Sequence, residues 1–174
     1  MNLELSGKSV LVTGSSKGIG LAIAKLFHSE GCRVALNGRN SRDLVAAVEG
    51  LNGAVAVSGD VTNPQEAKNI VSTVLEYFGA LDILICNVGS GRSVPPGEED
   101  CAEWKRVFSL NLWSTTNIVE ASQAALVASN GVVVCISSIC GMEVVPGAPA
   151  TYSAAKAALN AYIRCIARPL GQQG

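Results

Sequence analysis

The sequence of 174 residues predicts a three-layer α/β protein, a doubly wound parallel sheet with helices on both faces. Three observations predict it. Short apolar runs (VLV at 10–12, ILIC at 83–86, VVVCI at 132–136) alternate with helix-length segments, as strands covered on both faces do. The first run feeds into Gly14, Gly18 and Gly20, and Ile19, Ala22, Ile23, Leu26 and Phe27 then recur at helical spacing. Glycines, polar residues and cations gather just after the strands, where such sheets bind ligands.

The elements follow in order. Residues 9–13 read as the first strand and 18–29 as its helix, closed by Glu30-Gly31, because glycine favours the position past a helix end. Residues 33–37 form the second strand, followed by a helix over 41–51 with Ser41 as N-cap. The third strand is 54–58. After the loop Asp60-Val61-Thr62-Asn63, Pro64 opens a helix over 64–77, where its missing N–H costs nothing, and Gly79 ends it. The fourth strand is 83–87, a long helix bent near Leu112 spans 101–129, the fifth strand is 132–137, and a last helix covers 151–168. Right-handed crossovers wind these units into one sheet. The expectation is a single domain over residues 1–174.

Composition narrows the class. The chain is 48% hydrophobic and 16% charged, with formal net charge −1. That supports one buried core and gives no basic run for nucleic acid. No apolar stretch approaches the roughly 20 residues that cross a bilayer. The opening MNLELSGKSV lacks the pattern of a secretory leader. Six cysteines (Cys32, Cys86, Cys101, Cys135, Cys140, Cys165) include no C-x-x-C pair. They read as reduced, mostly buried small hydrophobes of a cytoplasmic protein, with no metal site.

The residues after the strands carry the functional reading. The glycine turn lets a ligand approach the main chain, and the helix behind it aims free N–H groups at a phosphate; the plain alternative is an ordinary strand–helix turn. After strand two, Asn37-Gly38-Arg39 has no acid to hold a ribose 2′-hydroxyl, but Arg39 and Lys17 supply two cations. They suit a 2′-phosphate, or are simply solvated. Asp60 is placed to accept from an adenine amino group beside the Val61 main chain, or to cap its own loop. Asn87 and Gly89, after strand four, suit a strand-end clamp and a close approach to a ribose, or a plain turn.

After strand five come Ser137-Ser138, then Tyr152 and Lys156 at i and i+4 on one helix face. A phenol with an ordinary pKa near 10 is a poor acid–base catalyst at neutral pH. A neighbouring ammonium stabilises the phenolate and lowers that value. The pair thus suits proton exchange with an alcohol oxygen while a hydride moves at carbon. Ser138 can donate to the same oxygen.

Together these motifs resemble the short-chain dehydrogenase/reductase family. Thr13-Gly14-Ser15-Ser16-Lys17-Gly18-Ile19-Gly20 is similar to its T-G-x-x-x-G-x-G cofactor turn, and Asp60-Val61 to its adenine-contacting pair. Cys86-Asn87-Val88-Gly89 stands where N-N-A-G is usual, so Val88 puts a larger side chain at the cofactor wall. Asn111, Ser138 and Tyr152-Ser153-Ala154-Ala155-Lys156 match a catalytic tetrad. The resemblance implies a Rossmann-type fold. It also implies Tyr152 as general acid/base, Lys156 tuning it and holding the nicotinamide ribose, Ser138 polarising the substrate oxygen, and Asn111 holding a water. Ser138 is preferred to Ser137 because Gly141 falls three residues later, as in the family pattern. Gly14, Ser16, Lys17, Gly18, Ile19, Gly20, Arg39, Asp60, Val61, Asn87 and Gly89 would bind the cofactor with Tyr152 and Lys156. Lys17 with Arg39 resembles the NADP-preferring members, with NAD as runner-up.

The implied activity is interconversion of a carbonyl and a secondary alcohol on a small-molecule substrate, by a homodimer or homotetramer. Trp104, Phe108, Trp113, Ile163 and Ile166 are candidates for the pairing face, or for core. Residues 89–97 and 142–150 would line the substrate mouth, where Arg92 would meet an anionic group or stand as a surface arginine. The family runs to about 250 residues, whereas this chain stops at Gly171-Gln172-Gln173-Gly174. The resemblance implies a sixth strand, a substrate-covering loop and helix, and a seventh strand beyond that point. The rival reading is a catalytically silent cofactor-binding or interaction protein.

Overall fold

The computed structural model describes residues 3–173, so Met1, Asn2 and Gly174 of the expected 1–174 unit lie outside the described residues. Five strands, β1 (Ser9–Val12), β2 (Arg33–Gly38), β3 (Val55–Ser58), β4 (Ile83–Cys86) and β5 (Val132–Cys135), form one parallel sheet in the order β3-β2-β1-β4-β5. Six helices alternate with them: α1 (Gly18–Ser29), α2 (Ser41–Val48), α3 (Pro64–Phe78), α4 (Cys101–Phe108), α5 (Ser114–Ser129) and α6 (Ala150–Gly171). The predicted doubly wound sheet is the observed one. Its order reverses at β1, which pairs with β2 on one side and β4 on the other. No helix among the described residues is long and apolar enough to cross a membrane.

Strand alternation sorts the apolar residues into two cores. Leu11, Ala35, Leu84 and Cys86 face a cluster with Ile70 and Val74 of α3, Ile118 of α5, and Tyr162 and Ile166 of α6. Val10, Val12, Val34, Leu36, Ile83 and Ile85 face the other side, with Ala24 of α1 and Leu44 of α2. β1 and β4 are buried along their whole length.

Several expectations are corrected. The N-cap of α2 is Asn40, not Ser41: its side chain accepts from the Arg42 and Asp43 N–H groups, and Ser41 is already helical. The long helix is interrupted by one π-helical turn, Ser109–Trp113, between α4 and α5. The last helix passes through Pro169 to Gly171, since losing one main-chain bond near the end does not stop it. The fifth run is not covered on both faces. β5 pairs only with β4, and Val132 and Val134 stay 53% and 42% exposed because α1 and α2 do not extend over them. Nor are the cysteines mostly buried: all six are free thiols, but only Cys32 and Cys86 are buried, and Cys101 and Cys165 are exposed on helix faces turned to solvent. Trp104 and Trp113 are 38% and 45% exposed, so neither is core.

One polar bond set fixes the lower ends of the central strands. Asp82 accepts from the Ser9 N–H (2.8 Å) and hydroxyl (2.7 Å) and from Lys8 Nζ (3.0 Å). Burial pushes its carboxyl upward, but these donors outweigh burial and hold it below the ordinary 3.8. The folded state therefore binds the proton less readily than the unfolded one, and the contribution to stability is present above that value and lost as pH falls through it. Asp82→Ala is expected to cost roughly 1–3 kcal/mol at neutral pH, by leaving two buried Ser9 donors unpaired. In urea titrations the gap between wild type and variant should shrink on going from pH 6 to pH 3; a constant gap would refute the assignment.

Candidate functional site

The upper ends of the strands are laced by side-chain amides. Asn87, just past β4, donates its main-chain N–H to the Thr13 hydroxyl oxygen (3.0 Å) and its amide hydrogens to the Thr13 (3.1 Å) and Gly14 (3.0 Å) carbonyls. Asn37, inside β2, gives its amide to the Val57 (3.0 Å) and Gly59 (3.1 Å) carbonyls. Ser15 ties the glycine turn to β2: its N–H donates to the Asn37 carbonyl (2.8 Å), and its hydroxyl accepts from the Asn37 N–H (3.0 Å). Ser15 and Asn37 are buried polar groups with paired atoms, and neither was singled out from the sequence as a structural tie.

The glycines of the turn are required for two different reasons. Gly14 and Gly18 take positive φ of 61° and 60°. Gly20 is required by space: a Cβ there would lie 2.5 Å from the Gly14 carbonyl and 2.6 Å from Asn87 Nδ2. Ile19 sits between them on the first turn of α1, 65% exposed. The N-cap residue of α1, Lys17, makes no side-chain capping bond, so the first-turn N–H groups of Gly18, Ile19 and Gly20 are not consumed by a cap.

Above this floor lies a cleft of about 550 Å³ lined by Gly14, Ser16, Lys17, Arg39, Asp60, Val61, Asn87 and Gly89, all named from the sequence. Asn37, Gly38, Gly59, Val88, Ser90, Arg92 and Leu110 also line it. At one end, Arg39 stands 3.7 Å from Asp60, with the Arg39 side chain 74% exposed. Asp60 caps its own loop, since Oδ1 accepts from the Thr62 N–H (2.9 Å) and hydroxyl (2.8 Å), and Oδ2 is left facing Arg39. The Val61 side chain is buried and its carbonyl accepts from Asn117 Nδ2 (3.1 Å).

Tyr152 and Lys156 do not line the cleft themselves; they stand one turn apart on α6 and meet the loop after β4, whose Gly89, Ser90 and Arg92 do. A Cβ on Gly91 would touch the Tyr152 ring at 3.6 Å, and one on Gly89 would lie 3.2 Å from Lys156 Nζ and 2.8 Å from Asn111 Oδ1. Lys156 is buried and donates to the Ile136 carbonyl (2.8 Å). Burial pulls its ammonium below the ordinary 10.5, partly opposed by the Cys135 sulfur. Asn111 lies in the π turn, where its amide donates to the Val107 (3.0 Å) and Ser90 (3.1 Å) carbonyls and its oxygen accepts from the Ser90 N–H (2.9 Å). The bend read near Leu112 is this wider turn, a feature frequent at functional positions.

Ser138 ends the segment after β5 and accepts from the Cys140 N–H (3.2 Å). Ser137 is turned the other way and donates to Asn160 Oδ1 (2.6 Å). Chemically, the arrangement offers an anion site at a helix N-terminus, two cations at one rim, and a phenol and a buried ammonium one helical turn apart on α6.

Comparison with known proteins gives the same outline. The family model for short chain dehydrogenases matches residues 8–174. The chain belongs to that family. A hydroxynaphthalene reductase of Aspergillus fumigatus is 32% identical over 177 residues, covering 99% of this chain and 64% of that protein. An uncharacterized oxidoreductase of Staphylococcus aureus is 34% identical over 173 residues, covering 98% of this chain and 74% of that protein. The crystal structure of L-sorbose reductase from Gluconobacter frateurii, complexed with NADPH and L-sorbose, superposes with TM-score 0.94 at 28% identity, over 99% of this chain and 68% of that one. A Caenorhabditis elegans short-chain dehydrogenase/reductase of unknown function, solved with cofactor, gives TM-score 0.92 at 30% identity, over 98% and 67%. This short-chain dehydrogenase chain thus spans 64% to 74% of the length of those relatives.

The packing around the turn makes a sharp prediction. Gly20→Ala should force the turn away from Asn87 and lower stability by about 1–3 kcal/mol. Thermal denaturation checks it, and an unchanged midpoint would mean that the turn is not held by this contact.

Proposed function

We propose that residues 1–174 form a single cofactor-binding and catalytic unit of a cytoplasmic, NADP(H)-dependent oxidoreductase that interconverts a carbonyl and a secondary alcohol. The observation that carries it is the placement of Tyr152 and Lys156 against one loop, whose Gly89, Ser90 and Arg92 line the cleft that Lys17 and Arg39 also line, by the uncapped N-terminus of α1. The cleft fits a dinucleotide: a Cβ on Gly18, in the first turn of α1, would meet open space, so a ligand can approach the main chain there, and the cleft volume is in the usual range for ligand sites. The α1 N-terminus would hold the diphosphate, Lys17 and Arg39 the 2′-phosphate, and Lys156 the nicotinamide ribose. When bound, the nicotinamide supplies or accepts the hydride at the substrate carbon.

The chain's own residues handle the oxygen. Tyr152 gives its phenolic proton to the carbonyl oxygen in reduction and takes it back in oxidation. The Lys156 ammonium stabilises the phenolate left behind, and burial strengthens that interaction by excluding water. Ser138 donates to the same oxygen as charge develops, because the Ser137 hydroxyl is committed to Asn160. After accepting from Ser90, Asn111 Oδ1 keeps a lone pair on the Gly89 side, near Lys156, which suits a linking water. Two copies would pair through the exposed Trp104 and Trp113 region as a homodimer or homotetramer.

A second reading, a catalytically silent cofactor-binding protein, is favoured by the open substrate side, where Met142 and Val144 are 75% and 98% exposed. Turnover separates the two. With NADPH and L-sorbose, acetophenone or butane-2,3-dione, Tyr152→Phe should reduce turnover by roughly 10²- to 10⁴-fold. Fluorescence titration of the same variant should show NADPH binding unchanged. Binding without turnover in the wild type supports the silent reading. For the cofactor, Lys17→Ala with Arg39→Ala should weaken NADPH about ten- to a hundredfold and leave NADH unaffected; an equal loss of both would assign NAD instead.

A further inference from the structure

Four side chains outside the tetrad form a continuous hydrogen-bonded chain that ends next to Tyr152. Arg106 of α4 grips Glu103 with Nε (2.7 Å to Oε2) and Nη2 (2.6 Å to Oε1). Glu103 Oε1 accepts from the Ser93 hydroxyl (2.6 Å), and Ser93 Oγ lies 2.7 Å from Thr151 Oγ1. Thr151 is fully buried and immediately precedes Tyr152 in the first turn of α6.

The directions of these bonds are forced. The bonds from Arg106 and then Ser93 hold the Glu103 carboxyl down to about 2, so it is ionised and only accepts. Ser93 must therefore spend its one proton on Glu103. Thr151 must then donate to Ser93. No rotation of either hydroxyl satisfies all four groups otherwise.

The chain also pins the loop that Tyr152 packs on. Ser90 is held by Asn111 on both main-chain atoms, the Arg92 N–H donates to Ser90 Oγ (3.2 Å), and the Arg92 carbonyl accepts from Arg106 Nη2 (2.9 Å). Gly91, the surface under the Tyr152 ring, lies between these fixed points. Helix α6 begins without help of its own, since its N-cap Pro149 has no side-chain cap. Its first turn is instead anchored through Thr151.

We propose that Glu103 and Arg106, acting through Ser93 and Thr151, are positioning residues that fix the orientation of Tyr152 against the loop after β4. The proposal rests on the reading of Tyr152 as the acid/base, and its test separates the two. The protein contains three tyrosines, Tyr77, Tyr152 and Tyr162, so uniform 3-fluorotyrosine labelling gives a small fluorine NMR spectrum, with Tyr152 assigned by Tyr152→Phe. Thr151→Val keeps the shape and removes the donor, whereas Thr151→Ser keeps the hydroxyl.

Thr151→Val and Glu103→Ala should move or split the Tyr152 line while Tyr77 and Tyr162 stay in place. Thr151→Ser should restore the wild-type line. With the carbonyl panel above, the first two variants should lose kcat by roughly ten- to a hundredfold at unchanged NADPH Kd, and Thr151→Ser should recover it. If Glu103→Ala fails to fold, the Thr151 pair decides alone. An unmoved Tyr152 line in folded Thr151→Val overturns the positioning role. Full turnover in Tyr152→Phe would instead overturn the acid/base reading, and the fluorine spectrum would still judge the anchoring.

Discussion

The site depends on one constraint: the ends of β1 and β4 must be held together while the chain between them leaves the sheet and returns. The Asn87 amide meets it with two bonds to the Thr13 and Gly14 carbonyls. Those carbonyls turn away from the sheet at the glycine turn and would otherwise be unpaired at the floor of a cleft. The cost of satisfying them is space. Asn87 Nδ2 occupies the volume that a Cβ on Gly20 would need, so an amide past β4 and a glycine in α1 require one another. Asn37 and Ser15 repeat the solution between β1, β2 and β3. A rigid polar floor follows, built before any ligand arrives, and preorganised donors of this kind lose little on binding.

The sequence was most legible where one physical rule acts alone. Continuous apolar runs located β1, β4 and β5, and the bounds of α1 matched because glycines open it and Glu30-Gly31 close it. Asn40 is the cap in place of Ser41: its backbone is the extended one and its side chain accepts from the N–H groups two and three residues on, and because asparagine and serine cap about equally well, local spacing does not rank them. The π turn was visible only as a bend. Asn111 in this turn bonds Ser90 of the loop after β4, a contact that the local sequence does not carry. β5 was misread because an apolar run reports what a strand can bury, and here only one of its faces has a helix to meet.

The candidate site shows the same division. Residues in a contiguous motif, such as the glycine turn and the Tyr152–Lys156 pair, could be placed from spacing. Asp60 could not be resolved between its two uses, and the structure gives one oxygen to each: Oδ1 caps the loop and Oδ2 faces Arg39. Asn117, which takes the Val61 carbonyl, lies more than fifty residues away on α5 and carries no local signal. Glu103, Arg106 and Ser93 are ordinary surface residue types in the sequence. Their relation to Thr151 exists only because α4 and α6 pack side by side.

The two halves of the cleft are held in different ways, and this bears on what each can do. The half over β1, β2 and β3 is fixed by main-chain carbonyls bound to buried amides, so its shape follows from the sheet itself. At the half over α6 the buried Asn111 amide ties the Ser90 and Val107 carbonyls, but no such amide holds the start of α6 itself. Tyr152 is half-buried, its helix starts without a cap, and residues 142–144 are exposed. Order there must come from side chains. Lys156 supplies one anchor through the Ile136 carbonyl and Thr151 the other through Ser93, one turn apart on either side of the phenol. A helix held at two such points cannot slide along its axis or rotate about it without breaking a buried bond. The backbone that carries Tyr152 is then fixed, its ring packs at Gly91, and the open side is left free to differ with the molecule that enters it.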